Sequence, residues 1–312
     1  MFRLKLVPQE TNFQFIRIRN ITFVISGLLT LASIVLYLTL GLNFGIDFRG
    51  GTMVEIGTEG AADVGRIRSI VSGLGLGDVQ VQTFGADNDV LIRIGQSAGG
   101  EQAQQLGVAA VKAALDRDYG SPVTYRRVEL VGPKVSSDLI NAGVLAVLLA
   151  VGAMLIYVWF RFEWQFGVGS VIALVHDVAM TIGLFSLLQL EFNLAIVAAI
   201  LTIVGYSMND TVVVYDRVRE NLRKYKKIPL EELLNLAINE TLSRTTMTAF
   251  TTFIALAALF IFGGEVIRGF TFAMIWGIFI GTYSSIFIAA PFLLLVGVKR
   301  NWSDSDAPAA KR

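Results

Sequence analysis

Long apolar runs alternate with short polar segments along the chain, and their spacing predicts six membrane-spanning helices. The runs cover residues 21–42, 139–160, 166–190, 192–215, 245–262 and 270–296. About 20 apolar residues in a helix cross a hydrocarbon core about 30 Å thick, and each run has roughly that length. The first run is longer than the about 7–15 residues of a signal-peptide core, and no small-residue cleavage site follows it. We therefore expect it to stay in place as a span.

Basic residues cluster in every second connection between these runs. They are Arg161 after the second run, Arg217, Arg219, Arg223, Lys224, Lys226 and Lys227 after the fourth, and Lys299, Arg300, Lys311 and Arg312 in the tail. The connections after the third and fifth runs contain Arg268 as their only basic residue. Connections rich in Lys and Arg stay in the cytoplasm, so both the N-terminal segment (1–20) and the C-terminal tail (297–312) are expected there.

The long polar segment at 43–138 is placed outside the cytoplasm by the same alternation. Its apolar spacing predicts strands at 52–58, 79–83, 90–94 and 123–131, helices at 62–74 and 102–117, and a turn at Asp87-Asn88-Asp89. The order β-α-β-β-α-β is that of a ferredoxin-like unit. The predicted fold class is thus a polytopic α-helical membrane protein, with a bundle of five further helices at 139–296 and a small α/β ferredoxin-like domain that we expect to lack an active site.

A second amphipathic pattern lies between the fourth and fifth spans, at about 229–243. Pro229 and the acids Glu231 and Glu232 are typical of a helix N-terminus. Its apolar positions share one face: Leu230, Leu233, Leu234, Ala237, Ile238 and Leu242. We expect a helix that lies along the inner membrane surface, although a helix that docks a partner has the same pattern.

Composition agrees with a membrane protein and excludes several kinds of chemistry. Charged residues make up 16% of the chain, against about 25% in soluble domains, and the mean hydropathy is +0.62. A net charge of +1 gives no basic surface for nucleic acid. Without cysteine there is no disulfide, thiol nucleophile or cysteine metal site, and a site built on histidine would rest on His176 alone.

Charged side chains inside the apolar runs are the first candidates for function. His176 and Asp177 lie in the third run, Asp210 in the fourth, and Arg244 opens the fifth. A charge at depth costs about 2.5–3.5 kcal/mol on insertion scales, so such residues face a bundle interior or a water-filled path. Purely structural interpretations also fit these residues. Arg244 can extend its side chain to the membrane boundary, and His176 can be a hydrogen-bonded core residue that points about 100° away from Asp177.

One arrangement of these residues would drive a conformational cycle. If Asp210 and Arg244 face each other, their separation lets the carboxylate take a proton and their approach expels it, because burial favours the neutral form and a guanidinium the charged form. Asn209 beside Asp210 and Thr248 one turn after Arg244 extend this candidate pathway. No metal site is predicted. Gly277, Gly281 and Ser285 form a small-residue stripe in the sixth run that favours close helix packing.

Seven short motifs in chain order carry a resemblance to a known family. They are GIDFRGG (45–51), VGPKVS (131–136), FRFEW (160–164), HD (176–177), GYSMNDTVVVYDR (205–217), SRT (243–245) and GTYSS (281–285). Together they resemble the SecF family of bacterial protein translocase subunits, in the resistance-nodulation-division superfamily. Tyr215 stands where phenylalanine is frequent in that family. The chain has one six-span unit, as in the unfused form.

The resemblance implies a function, partners and a location. Such subunits lie in the bacterial inner membrane, pair with SecD as pseudo-symmetric halves, and associate with the SecYEG channel, with YajC and YidC as further partners. They use the proton motive force to draw exported unfolded polypeptide outward late in export. The family's ion-pathway residues fall on Asp210 and Arg244, and its HD pair on His176 and Asp177. This implies a translocase subunit rather than an enzyme, without cofactor, with H⁺ or Na⁺ as the coupling ion.

Two other classes of function stay as alternatives. An intramembrane aspartyl protease would use Asp177 and Asp210, but the residues before Asp210 contain no adjoining glycine of the G-x-G-D type. A passive scaffold of the translocon would keep Asp210 and Arg244 as a structural pair and would work without an ion gradient.

Overall fold

The computed structural model describes residues 11–96 and 99–298, and six helices in this part are long and apolar enough to cross a membrane. The elements in chain order are a 3₁₀ turn (Phe15–Ile18), α1 (Arg19–Leu40), β1 (Asn43–Phe44), α2 (Ile46–Arg49), β2 (Gly51–Thr58), α3 (Val64–Ser72), β3 (Val79–Phe84), β4 (Ala86–Ile94), α4 (Gly100–Asp118), β5 (Val123–Val131), α5 (Pro133–Arg161), α6 (Trp164–Leu188), β6 (Glu191–Phe192), α7 (Leu194–Lys224), α8 (Leu230–Phe262), α9 (Glu265–Ser284), a π-helical segment (Ser285–Ala289) and α10 (Ala290–Val296). The predicted fold class is confirmed. Residues 1–10 of the N-terminal segment and residues 299–312 of the tail, with its four basic residues, lie outside the described residues.

The α/β domain has the predicted ferredoxin-like topology. Its four strands lie in the order β3-β4-β2-β5, and every neighbouring pair is antiparallel. Helices α3 and α4 cover one face, where Val54, Ile56, Ile92, Ile67 and Val111 form the buried core. Alternation along the strands directs these side chains to one face, so the period-two pattern accounts for the core.

The turn predicted at residues 87–89 is wrong. The chain reverses at Gly85, whose φ of +83° suits glycine, and the acidic residues are already part of β4. Asp89 is buried and forms an ion pair of 2.6 Å with Arg126, while the Asn88 amide donates to the carbonyl of Thr58. Polar residues that resemble a turn in the sequence are thus satisfied inside the sheet.

The predicted surface helix at about 229–243 is also corrected. These residues are the first half of α8, which continues to Phe262 because no proline or glycine interrupts it. Leu233, Leu234 and Ala237 are fully buried in the protein core and not laid on a membrane surface. The Asn235 and Asn239 side chains accept hydrogen bonds from the backbone of the N-terminal segment, which fixes that segment against α8.

A compact junction joins the α/β domain to the bundle at the N-terminal end of α7. Strand β1 pairs in parallel with β6, the short connection between α6 and α7. The Asp47 carboxylate accepts a hydrogen bond of 2.8 Å from the Leu194 backbone at the start of α7. Arg93 of β4 forms an ion pair with Glu191 of β6. A Cβ on Gly45 would lie 2.6 Å from a Glu191 carboxylate oxygen, so a larger residue there would displace the Glu191 side chain.

Candidate functional site

Asp177 on α6 is a fully buried carboxylate held by three neighbours. The hydroxyls of Ser207 on α7 and Ser284 on α9 donate to its Oδ2 over 2.6 and 2.8 Å. Its Oδ1 shares a hydrogen bond of 3.0 Å with Nδ1 of the neighbouring His176. Both oxygens are therefore engaged, and the carboxylate ties three helices together.

His176 lies against Asp177 although successive residues diverge around a helix. The expected angle of about 100° separates the Cα–Cβ directions but does not prevent adjacent side chains from meeting at their tips. The buried ring of His176 also lies 6.1 Å from the ring of Tyr283 on α9. The Tyr283 hydroxyl shares a hydrogen bond of 2.8 Å with Ser26 on α1, so the polar cluster reaches the first span.

Asp210 on α7 is buried with far fewer partners. The Thr245 hydroxyl on α8 donates to its Oδ1 over 2.6 Å. Its other oxygen, Oδ2, is buried and accepts no hydrogen bond from any residue in the part of the chain that the structure describes. A buried polar atom without a partner costs about 1–3 kcal/mol, so this oxygen is the one in the site that stands to gain from a proton or a cation.

Arg244 does not form the ion pair with Asp210 that the sequence raised as a possibility. Within the described ranges, no salt bridge joins the two side chains. Because successive helical residues are turned by about 100°, Thr245 points at Asp210 and Arg244 is turned to an exposed face. Asn209 and Thr248, the other predicted pathway residues, are exposed on this face as well.

The two carboxylates interact with neighbouring positions of α7. Ser207, which binds Asp177, precedes Asp210 by less than one helical turn. Thr211 follows Asp210 and shares a hydrogen bond of 2.9 Å with Ser285, the first residue of the π-helical segment. Such segments often mark functional positions. No hydrogen bond links Asp177 to Asp210 in the described chain, so the contact pair that an aspartyl protease needs is not formed.

The small residues of the sixth span set the distance between α9 and α7. A Cβ on Gly277 would lie 2.2 Å from the Ile203 side chain, and a Cβ on Gly281 would lie 3.0 Å from that of Ser207. Ser285, the third predicted packing residue, donates to the carbonyl of Gly281 besides its contact with Thr211. This close approach brings Ser284 within reach of Asp177.

Ser207, Ser284 and Thr245 are site residues that sequence reasoning did not assign. Each of them lies in a motif that carries the family resemblance, so the sequence contained a signal for them. Hydroxyl residues are common in membrane helices, however, and their partners depend on how each helix is rotated. The described residues contain no group of three or more His, Asp and Glu side chains that could hold a metal.

Comparisons with known proteins identify what the chain is similar to. A family model described as Protein export membrane protein SecD/SecF, C-terminal, matches residues 111–299, and one described as SecD/SecF GG Motif matches 38–62. Protein translocase subunit SecF of Cereibacter sphaeroides is 49% identical over 99% of this chain and 97% of the relative. The corresponding subunit of Rhodobacter capsulatus is 50% identical over 98% of this chain and 95% of the relative.

A solved structure extends the likeness to the fold. The crystal structure of SecDF from Thermus thermophilus, a translocon-associated membrane protein, superposes with a TM-score of 0.84 at 35% identity. The superposition covers 95% of this chain and 40% of that one, so this chain spans less than half of the SecDF polypeptide. SecDF in a super-membrane-facing form gives a TM-score of 0.66 over 94% of this chain and 40% of that one.

Proposed function

The chain belongs to the SecD/SecF family of protein-export membrane proteins, among its SecF subunits, and on this premise we propose that it couples ion flow through its bundle to late steps of protein export. The ion is H⁺ or Na⁺, since a carboxylate serves either. Ion binding changes the packing around the carboxylate, and the α/β domain moves in response and draws exported unfolded polypeptide outward.

The observation that carries this proposal is the half-satisfied carboxylate of Asp210. A buried aspartate with one free oxygen is unfavourable when charged and gains when an ion binds. Asp210 lies in the middle of α7, next to helices that contact it through one hydroxyl. Protonation or cation binding would change the interaction with Thr245, and therefore the contact between α7 and α8.

A route for the mechanical coupling runs along α7. The outer end of this helix is held to the α/β domain by the Asp47 hydrogen bond at Leu194 and by the ion pair between Arg93 and Glu191. A shift of α7 at Asp210 therefore reaches the domain through a single continuous helix. Discrete rearrangements of packed helices are a known means of such transmission.

SecD is the partner that we expect at the exposed polar surface of α7 and α8. Several polar side chains at membrane depth are exposed on α7 and α8. They are Thr202 and Asn209 on α7 and Arg244, Thr248 and Thr251 on α8. Polar groups are costly against lipid, so this face is expected to meet another protein or a water-filled path. If SecD packs here as a similar half that carries its own carboxylate, Arg244 lies in an ion pathway shared by the two subunits.

The remaining assignments follow from the family and from charge. The basic connections favour an orientation with both termini in the cytoplasm and the α/β domain in the periplasm of a bacterial inner membrane. SecYEG is the channel that the complex would serve, with YajC and YidC as accessory partners. We expect no enzymatic activity and no cofactor.

Export into inverted membrane vesicles with ATP present tests the proposal. Wild-type export should fall when an uncoupler, or an ionophore for Na⁺, is added. Asp210→Asn should show only the residual, gradient-insensitive level. Asp216→Asn, the same chemical change on the same helix, should retain the gradient-dependent part. If Asp210→Asn kept full gradient dependence, or wild type had none, a scaffold that works without an ion gradient would be the better account.

A further inference from the structure

An apolar slot opens between α5 and the rest of the bundle, at the end of the bundle that carries the α/β domain. Its volume is about 440 Å³, which falls in the range of small-ligand sites, about 300–1,000 Å³. We call it the α5 slot; α5 lines it with Ile140, Val144, Val147 and Leu148. Arg49 is the only charged side chain among the described residues that line it.

The wall that faces α5 is an aromatic cluster at the junction with the α/β domain. The rings of Phe44, Phe48 and Phe192 lie 5.8 or 5.9 Å apart between their centres. Aromatic rings at such distances attract one another and keep a defined geometry. The slot is therefore already formed in the protein without a ligand.

Helix α5 meets the bundle at both ends of the slot but not along it. Ser136, one turn before the slot, is buried, and so is Val158 near the other end of α5. Between the slot and Val158, the Met154 side chain would lie 3.8 Å from a Cβ on Gly205 of α7. The slot is thus closed at its inner end by the contact between α5 and α7.

The length of the α5 slot matches one leaflet of a bilayer. Ile140 follows Asp138, the last charged residue before the apolar run of α5, so the slot begins at the membrane boundary. Leu148 is eight residues further on, which at 1.5 Å per residue gives a depth of about 12 Å. One leaflet contributes about 15 Å of a hydrocarbon core about 30 Å thick. A partner's spanning helix needs an open face across the whole core, so a slot that is closed halfway suits a single hydrocarbon chain.

Arg49 gives the slot a polar end. It is the last residue of α2, which lies outside the apolar runs, and its side chain is exposed. Within the residues that the structure describes, no carboxylate forms a salt bridge with it. A guanidinium group at the level of the headgroups can bind a phosphate through two parallel hydrogen bonds.

We propose that the α5 slot holds one acyl chain of a phospholipid from the leaflet on the side of the α/β domain, with the lipid phosphate bound by Arg49. The apolar walls select hydrocarbon, because side chains that face an empty gap lose their packing contacts. The guanidinium at the open end selects a chain that carries a phosphate. This site does not depend on ion coupling through Asp210 and would exist in an uncoupled scaffold as well.

Photocrosslinking in liposomes tests the proposal with the full-length chain and its SecD partner. The probe is phosphatidylglycerol with a diazirine near the end of one acyl chain, and diacylglycerol with the same chains is the probe without phosphate. Peptide mass spectrometry locates the labelled residues. We expect phosphatidylglycerol to label Val144, Val147 and Leu148 in preference to Leu145 and Leu149, which are exposed on α5 but do not line the slot.

Two pairs of variants separate the slot from general contact with lipid. Val144→Trp should fill the slot and remove most of the labelling of Val147 and Leu148. Leu145→Trp is the control, because Val144 and Leu145 are both 56% exposed and Leu145 lies outside the slot. Arg49→Gln should lower the labelling by phosphatidylglycerol about fivefold, and Lys134→Gln at the start of α5 should change it less than about twofold. Equal thermal unfolding midpoints in detergent establish that the variants are folded.

Three results would overturn the proposal. Equal labelling of Leu145 and Leu148, or equal losses in a variant and its control, would mean that lipid contacts α5 without a site. Equal labelling of the slot by diacylglycerol would remove the phosphate from the site. No labelling of the slot in the presence of SecD would mean that the partner, and not a lipid, covers this face.

Discussion

Asp177 on α6 and Asp210 on α7 are both buried carboxylates within the bundle, and their surroundings differ. Asp177 has both oxygens engaged, by the hydroxyls of Ser207 and Ser284 and by the His176 ring. Asp210 has one oxygen engaged, by Thr245, and one that meets no donor in the described chain. A saturated carboxylate holds helices in place, whereas a half-satisfied one can exchange a ligand.

This difference indicates separate roles for the two carboxylates. Asp177 connects α6, α7 and α9 and so fixes α7 against the rest of the bundle. Asp210 lies three residues after Ser207 on α7 and is bound by Thr245 of α8. We infer that Asp177 and His176 have a holding role, whereas the exchange of an ion occurs at Asp210. The predictions below test that division, from the largest expected effect to the smallest.

The largest effect is expected from Gly277→Leu, which should disrupt both carboxylate sites at once. Even a Cβ at this position would lie 2.2 Å from Ile203, so α9 must move away from α7. Overpacking of this kind costs about 1–3 kcal/mol, and the lost hydrogen bonds of both carboxylates add to that cost. We expect less folded protein and a lower thermal unfolding midpoint. Gly143→Leu on α5 is the control, because a Cβ there meets nothing within 4 Å; equal losses in both variants would contradict the packing account.

The same substitution at the two carboxylates should separate their structural roles. Asp177→Leu leaves the Ser207 and Ser284 hydroxyls without their buried acceptor, and we expect a loss of about 2–4 kcal/mol in the free energy of unfolding. Asp210→Leu leaves the Thr245 hydroxyl without its acceptor but also removes a buried carboxylate with one unpaired oxygen. The loss in the free energy of unfolding should therefore stay below about 1 kcal/mol. Unfolding in mixed micelles measures both. A larger cost at Asp210 would reverse the comparison.

Removing the Thr245 hydroxyl, which donates to Asp210, should reduce function without unfolding the bundle. Thr245→Val deletes the hydroxyl that binds the carboxylate, and a hydrogen bond to a charged group contributes about 1.5–3 kcal/mol. We expect gradient-dependent export to fall about tenfold. Thr241→Val, one turn earlier on α8, is matched because its hydroxyl bonds only to carbonyls of its own helix. Similar export by the two variants would remove Thr245 from the site.

Glu191, a half-buried acid at the junction, allows a smaller test through the pH dependence of stability. Burial raises the pKa of its carboxyl above the ordinary glutamate value of about 4.3, with Arg93 opposing the rise and Asp47 and Glu129 adding to it. The folded state therefore holds this proton more tightly than the unfolded chain. Its contribution to stability is present below the ordinary pKa and is lost as the pH rises through the raised one.

Glu191→Gln should flatten that part of the pH dependence. The thermal unfolding midpoint of the wild type is expected to fall as the pH rises from about 4.3 toward neutrality, and the variant should show a shallower fall over the same window. A steeper fall in the variant would mean that the ion pair with Arg93 outweighs burial.

The sequence predicted the elements and the unusual residues but not their partners. The apolar runs predicted the six spans, and period-two alternation predicted the strands of the sheet, because both patterns depend on residues close together in the sequence. Asp177 and Asp210 stood out because charges are rare at depth. Ser207, Ser284 and Thr245 could not be assigned, since they come from three helices whose rotation depends on contacts such as Gly277 with Ile203.

The two corrections have the same physical origin. The apolar face at 229–243 has one pattern whether it covers lipid or protein, so periodicity alone cannot show that α8 continues through it. Likewise, acidic residues at 87–89 favour a turn only while their partners are unknown. Arg126 supplies the missing partner for Asp89 across the sheet.

Ion flux in proteoliposomes tests the central claim most directly. The chain is reconstituted with its SecD partner, an H⁺ or Na⁺ gradient is imposed, and the flux is followed with a fluorescent indicator of that ion. Asp210→Asn should abolish the flux, whereas Asp177→Asn, which keeps the shape of the side chain and one acceptor oxygen, should retain most of it. Undiminished flux with Asp210→Asn, or loss only with Asp177→Asn, would contradict the division of roles between the two carboxylates.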